Sequence, residues 1–153
     1  MKVSTVVVGE GDYSPLDDAM FRMSMRSAAL AGAEPARVPS ADAARRVVDA
    51  ALEYGHLMER GTVVLPEFYR AMTNACDYAG TDYAYCKAAM LGEKPTTVET
   101  PVPGRMSLGQ VLVRTWVLVE LGVGREPKEL LERVLREYRG TEVPHVLVAE
   151  AGP

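Results

Sequence analysis

Amide side chains are nearly missing from this chain. Among 153 residues, Asn74 is the only asparagine and Gln110 the only glutamine. Cysteine is limited to Cys76 and Cys86, and tryptophan to Trp116. Lysine is scarce as well, since arginine supplies 13 of the 17 basic residues. Loss of heat-labile amides belongs to the composition of thermophile proteins, so a thermophilic source is expected. An excess of arginine over lysine would follow equally from a GC-rich genome. Where so few amides survive, each survivor invites a structural reason.

Other absences exclude whole function classes. There is no dense basic run, and with a net charge of −4 and a pI near 5.3 no nucleic-acid partner is expected. The longest apolar stretch, Leu108 to Leu121, carries Gln110, Arg114 and Glu120. It falls short of the roughly 20 residues a membrane span needs, so no membrane association is expected. The apolar run after Met1 is too short for a secretory signal and lacks a small-residue cleavage site. A cytoplasmic protein is expected. Cys76, Cys86, His56 and His145 match no zinc spacing, so no metal is assigned. A Cys76–Cys86 disulfide across a helical corner is sterically conceivable but unusual in a cytosol; two buried thiols are the alternative. The turn Gly9-Glu10-Gly11-Asp12 lacks the full dinucleotide glycine fingerprint and the P-loop lysine. Its two acids would repel phosphate, which leaves a plain strand-to-helix turn or a contact with a cation or amine. No cofactor is assigned.

What is present is a globular composition, 48% hydrophobic and 25% charged, at a length suited to one domain, 1–153. Val3 to Val8 is a β-branched strand. Ser14 caps a helix that begins at Pro15 with Asp17 and Asp18 in its first turn. Leu16, Met20, Met23, Ser27 and Leu30 recur along it at helical spacing, and Met20, Met23 and Met25 are expected to fill gaps in the core. A second helix is expected from Pro39-Ser40 to about Arg60, with His56 near its carboxyl end. A strand follows at 62–65, then a helix from Pro66 to about Ala79. A short helix is expected over Tyr83 to Leu91, and a Pro-rich loop or arm over 93–105, with an edge strand at 96–99. Ser107 and Gln110 form a capping box for a buried helix over Leu108 to Leu121. Pro127 starts an amphipathic helix, with Glu129–Arg133 and Glu132–Arg136 pairs outside. A final strand spans 143–148, and Pro144 places its beginning at an edge or before pairing. The first and last strands are expected to pair in one small sheet. The fold class is therefore α/β, a small sheet layered with about six helices.

Three constellations could carry chemistry. Glu67, Arg70, Asn74, Asp77 and Tyr78 share one face of the 66–79 helix. There Asp77 or Glu67 would be the acid–base group, Arg70 an anion clamp and Asn74 an orienting donor; a solvated face is the bland reading. Cys76 to Cys86 gathers both cysteines and three tyrosines, a recognition corner or the cover of a helix join. Arg114, the only cation in an apolar stretch, must meet a carboxylate of the protein or of a ligand. Trp116 is expected in the core. The sequence names no reaction. The leading expectation is a small protein that binds an anionic small molecule, a metabolic enzyme being one form of it, and that self-associates as a homo-oligomer. The alternative is a non-catalytic assembly or regulatory protein using the tyrosine corner and the Pro-rich arm. A redox or metal role for Cys76 and Cys86 is the third reading.

Overall fold

The structure, a computed structural model, describes residues 2–9, 14–91, 98–99 and 106–151. The chain enters through strand β1 (Val3–Val8), helix α1 (Pro15–Leu30) and strand β2 (Glu34–Val38). A 3-10 turn (Ser40–Asp42) leads into α2 (Ala43–Ala50), followed by β3 (Tyr54–Glu59) and β4 (Thr62–Val64). Next come α3 (Phe68–Ala79), β5 (Tyr83–Leu91) and the short β6 (Val98–Glu99). A second 3-10 turn (Leu108–Gln110) precedes β7 (Val111–Arg114), α4 (Thr115–Leu121), α5 (Pro127–Glu137) and β8 (Gly140–Ala151). The strands form one mixed sheet in the order β2-β1-β3-β7-β5-β8-β4, with β6 added to β5. This is the expected α/β architecture, with five α-helices among the described residues, near the expected six.

Topology places the helices. β1 pairs in parallel with β2 on one side and β3 on the other. The two crossovers therefore leave in opposite directions, and crossovers of one hand then put α1 and α2 on opposite faces. Phe21 and Ala28 of α1 join Val3, Val7, Met58 and α3 in one apolar layer. Ala43, Ala44 and Val47 of α2 join Val6, Leu57, α4 and α5 in the other. Alternation along the strands serves both layers. Leu112 faces the first and its neighbours Val111 and Val113 the second, as do Ala84 and Tyr83. Gly55 lies where a Cβ would run into Val47 of α2, so close helix–sheet packing requires glycine there.

Several expectations need correction. The helix from Pro39 stops at Ala50, and 54–59 is a central strand. Buried on both faces, β3 lacks the polar alternation of a half-wet strand, and its Leu57 and Met58 mimic the tail of a helix. His56 is accordingly a wholly buried strand residue and not a helix terminus. Tyr83 to Leu91 is a strand between β7 and β8, where tertiary pairing overrides the helical preference of its alanines and methionine. The stretch 108–121 divides into a 3-10 turn, a strand and a two-turn helix, so Arg114 stands at a strand end. The expected strands at 62–65 and 96–99 appear as β4 and as the two residues of β6; the rest of 93–105, like Glu10 to Asp12, lies outside the described residues. β1 and β8 do not pair, because β3, β7 and β5 lie between them. Pro144 sits where the β5–β8 register jumps, before β4 covers the other edge at Val148. On α1 the buried residues are Phe21, Ser24, Ser27 and Ala28, whereas Leu16 and Leu30 are 70% and 69% exposed and Met23 also faces outward. Trp116 is 48% exposed, its ring edge-on to Tyr138 at 5.8 Å. The ion pairs at α5 are Arg125–Glu129, reaching in from before the helix, and Arg133–Glu137 within it. Both cysteines are buried free thiols.

Helix α2 ends on Ala51 with φ 54° and ψ 31°, the left-handed conformation in which a Cβ is strained. Ala51→Gly should therefore stabilise the fold by about 0.5–1 kcal/mol, the strain relieved exceeding the added chain entropy. A urea titration of the two proteins reads this directly, and an unchanged or lower midpoint would refute it.

Candidate functional site

A cleft of about 510 Å³ opens at the carboxyl ends of β1 and β3. In open α/β sheets a crevice forms where successive crossovers depart in opposite directions, and an order of 2-1-3 puts that point between β1 and β3. Val8 and Gly9 bring β1 to the cleft, and Glu59 and Arg60 bring β3. Ser40 enters from the turn before α2, Leu108 from the second 3-10 turn, and Glu126, Pro127 and Lys128 from the start of α5. No side chain caps α5, and Pro127 at its first position has no N–H. The amides of Lys128 and Glu129 therefore point out of the positive end of a helix dipole. Lys128 itself sits in that first turn, where a cation is disfavoured unless something anionic joins it.

The walls are held by buried polar contacts. Ser24 of α1 accepts the Gly61 N–H at 2.8 Å, and Ser27 accepts the Val64 N–H at 3.1 Å. These bonds dock the β3–β4 turn, and with it Glu59 and Arg60, onto α1. Arg60 Nε also donates to Asp17 at 3.1 Å, so part of its charge is already matched. On the other wall His56 Nε2 lies 2.9 Å from the Gly109 carbonyl and Nδ1 2.9 Å from the Tyr69 hydroxyl. Nε2 must donate to the carbonyl, so Tyr69 donates to Nδ1 and in turn accepts from Thr5 at 2.8 Å. Burial pushes the imidazole down to about 4, with the Gly109 bond opposing. A Cβ on Gly109 would lie 2.5 Å from Thr62 Cγ2, so only glycine lets this turn close over β4. Thr62 donates to Glu150 at 2.7 Å, and Ser107 donates to its other oxygen. Burial holds the Glu150 carboxyl above the usual range, and the Glu59 charge adds to it.

The residues singled out from the sequence lie elsewhere. Glu67, Arg70, Asn74, Asp77 and Tyr78 do share the outer face of α3, and Tyr78 is 97% exposed. No side-chain partner of Glu67, Arg70, Asn74 or Tyr78 occurs among the described residues. Arg114 meets carboxylates, as required of it: Glu53 at 3.4 Å and Asp77 at 3.3 Å. It also donates to the Thr81 carbonyl at 2.8 Å and lies over the Tyr54 ring at 5.0 Å. Asp77 further accepts from the Tyr54 hydroxyl and from Lys2 at 2.9 Å, bonds that hold its carboxyl below the usual range. This network joins Lys2 before β1, the start of β3, the end of α3 and the end of β7. It lies at the opposite end of the strands from the cleft, roughly 16 Å away at the rise of a strand. Cys86, beside Lys87, is pushed up to about 12 by burial, which removes it as a thiolate nucleophile. Among the described residues no group of three or more His, Cys, Asp or Glu converges to hold a metal, and no helix is long and apolar enough to cross a membrane. Sequence reading missed Ser40, Glu59, Arg60, Glu126 and Lys128. The one legible signal was Lys128, a cation directly after the helix-starting Pro127.

No family model and no curated protein matches the sequence. Solved structures share its fold at low identity. The chain is similar to S. aureus TarS 1-349, with 8% identity and a TM-score of 0.63 over 99% of this chain and 60% of that one. It is similar to the same protein in complex with UDP-GlcNAc, with 10% identity and a TM-score of 0.64 over 100% and 59%. A197 from STIV aligns at 11% identity and a TM-score of 0.62 over 97% and 84%. The chain thus spans about 60% of TarS 1-349, and the shared property is the fold.

Two outcomes follow from this geometry. The neutral imidazole of His56 makes stability depend on pH. Above its unfolded pKa of about 6.5 both states are neutral and stability is full. As pH falls from there towards 4, the unfolded chain takes up a proton that the folded one refuses, and about 3 kcal/mol is lost. Urea titrations at pH 7 and 4.5 should show the loss in the native protein and a smaller one in His56→Gln; equal losses would remove His56 as the cause. Arg114→Met should cost about 2 kcal/mol of stability through its lost bonds to carbonyl and carboxylate oxygens, while leaving ligand affinity at the cleft unchanged.

Proposed function

We propose that the chain binds a nucleoside diphosphate sugar in the cleft between β1 and β3, and that it is the nucleotide-sugar-binding part of an enzyme of glycosyl transfer. The observation that carries this reading is the position of the cleft at the switch point of the parallel strands, where such sheets bind nucleotides. Its volume of about 510 Å³ falls within the usual range for small-molecule sites. The fold likeness to a protein solved with UDP-GlcNAc and with UDP supports the same ligand class.

The chemistry of the lining agrees. A diphosphate needs local positive charge, and Arg60, Lys128 and the free amides at the α5 terminus supply it. Gly9 has no side chain, so ligand atoms can approach the backbone at the end of β1. Glu59 and Glu126 can accept hydrogen bonds from ribose or sugar hydroxyls. A sugar nucleotide is an activated glycosyl donor, because the diphosphate leaves readily with the electron pair. The same two carboxylates are then the groups available to take the proton of an acceptor hydroxyl.

Calorimetric titration with UDP and UDP-GlcNAc tests the reading. Both should bind, and Lys128→Ala should weaken UDP by about ten- to a hundredfold, the worth of a charge-assisted contact. Absence of binding by the native protein at millimolar UDP, or equal affinity for Lys128→Ala, would count decisively against it.

A further inference from the structure

A second, smaller hollow of about 160 Å³ runs on from the cleft along α5. The two share Glu59, Leu108 and Lys128, so they are lobes of one trough. Their linings differ. Besides Glu59, Lys128 and Glu132, the second lobe is bounded by Met106, Leu108, Leu131 and Leu135, which belong to or pack against the apolar layer on that side of the sheet. The helix explains the pattern. Leu130 and Val134 are the buried core face of α5, and the next positions, Leu131 and Leu135, carry the apolar surface sideways into the trough.

We infer that this lobe is the acceptor subsite and takes a neutral alcohol or phenol with an apolar body about the size of a single ring. The inference rests on the nucleotide-sugar reading of the adjoining cleft. Three observations set the class. An apolar cavity of about 150 Å³ is enough to hold benzene, so the volume suits one ring. The wall made by Met106, Leu108, Leu131 and Leu135 matches an alkyl or aryl face, and the polar groups of the lobe are confined to Glu59, Lys128 and Glu132. Glu59 and Glu132 flank Lys128, the one cation among the described residues of this lobe, which opposes a second anionic substrate and leaves the lysine to the diphosphate. An acceptor seated here turns its hydroxyl towards Glu59 at the junction. Its oxygen then bonds to the anomeric carbon, and the carbon–oxygen bond to the diphosphate breaks with the pair leaving on phosphate. The hydroxyl proton passes to the Glu59 carboxylate.

Methyl NMR of the full chain, labelled at Leu and Met and saturated with UDP, reads both lobes separately. Benzyl alcohol should shift the methyls of Met106, Leu131 and Leu135, whereas glucose at the same concentration should not. Leu131→Arg should weaken benzyl alcohol at least tenfold, while UDP binds at least as tightly as before. If UDP binds but benzyl alcohol moves none of these methyls, or Leu131→Arg has no effect on it, the acceptor subsite is wrong and the nucleotide reading stands. If UDP itself perturbs nothing in the cleft, the nucleotide reading falls and takes the acceptor role with it. A change of oligomeric state in Leu131→Arg, without loss of benzyl alcohol binding, would assign the lobe to a contact between copies and overturn the inference.

Discussion

An imidazole sealed from water must find partners for both nitrogens, and in this fold much of the arrangement follows from how His56 finds them. Its ring lies on β3 with no solvent access. Tyr69 of α3 satisfies one nitrogen and the Gly109 carbonyl of the 3-10 turn the other. Thr5 of β1 completes the chain through the Tyr69 hydroxyl. A buried polar group left unpaired costs about 1–3 kcal/mol, so strand, helix and turn are bound to one geometry. Phe68 and Tyr69 close around the ring at 4.9 and 5.3 Å. The turn cannot shift without orphaning the Nε2 proton, and Leu108 in the cleft wall is fixed with it. Gln110 holds the turn from its other side, donating to the Cys86 carbonyl at 2.9 Å and accepting from the Ser107 N–H at 2.8 Å. A side chain that offers a donor and an acceptor at once is needed there, which is the reason this one glutamine persists. Asn74, exposed on α3, shows no comparable reason.

The two ends of the strands are built for different work. At the amino end Lys2, Glu53, Asp77 and Arg114 carry two positive and two negative charges that cancel within the cluster. Its carboxylates are more than a third exposed, so each ion pair adds little by itself. The larger contribution comes from Arg114 capping the carbonyls at the end of α3 while its plane lies on Tyr54. At the carboxyl end charge is left unsettled: no carboxylate of the described residues pairs with Lys128, and the amides of α5 are uncapped. A protein that settles its charges at one end and leaves them open at the other keeps stability and binding on separate groups.

How far this could be read from the sequence depended on burial. Elements with one wet face were legible: Ser14, Pro15 and the paired aspartates marked α1, and Pro127 with its apolar stripe marked α5. β1 was legible because a β-branched run has few other uses. Elements buried on both faces were not. β3, β5 and β7 lack the polar alternation that separates a strand from a helix, and alanine, methionine and leucine within them favour the wrong choice. Two of those errors displaced residues that matter to the reading. Glu59 and Arg60 became the tail of a helix and so could not be placed at a strand end. Arg114 became the centre of a helix, which rightly demanded a carboxylate for it but concealed that the partners come from Glu53 and Asp77. β2, with exposed Glu34 and Arg37 around a proline, carries too little apolar pattern to be seen at all.

Electrostatics sets the terms on which such a cleft can work. With a net charge of −4 the chain as a whole repels an anionic ligand. That repulsion is spread over the surface and is screened beyond about 8 Å at physiological ionic strength. Contacts made at hydrogen-bonding distance inside the cleft are screened far less. Arg60, tethered to Asp17, is fixed in place but partly neutralised. The positive end of α5 is equally fixed, and although Glu126 and Glu129 lie in or beside its first turn, no side chain bonds its free amides. Fixed donors lose little freedom when a ligand arrives, and preorganised charge is worth most where water has been displaced. If the cleft takes a sugar nucleotide as proposed, the helix terminus and Lys128 at its second position would hold its phosphates. The sugar would then lie towards Glu59, which lines both the cleft and the smaller lobe.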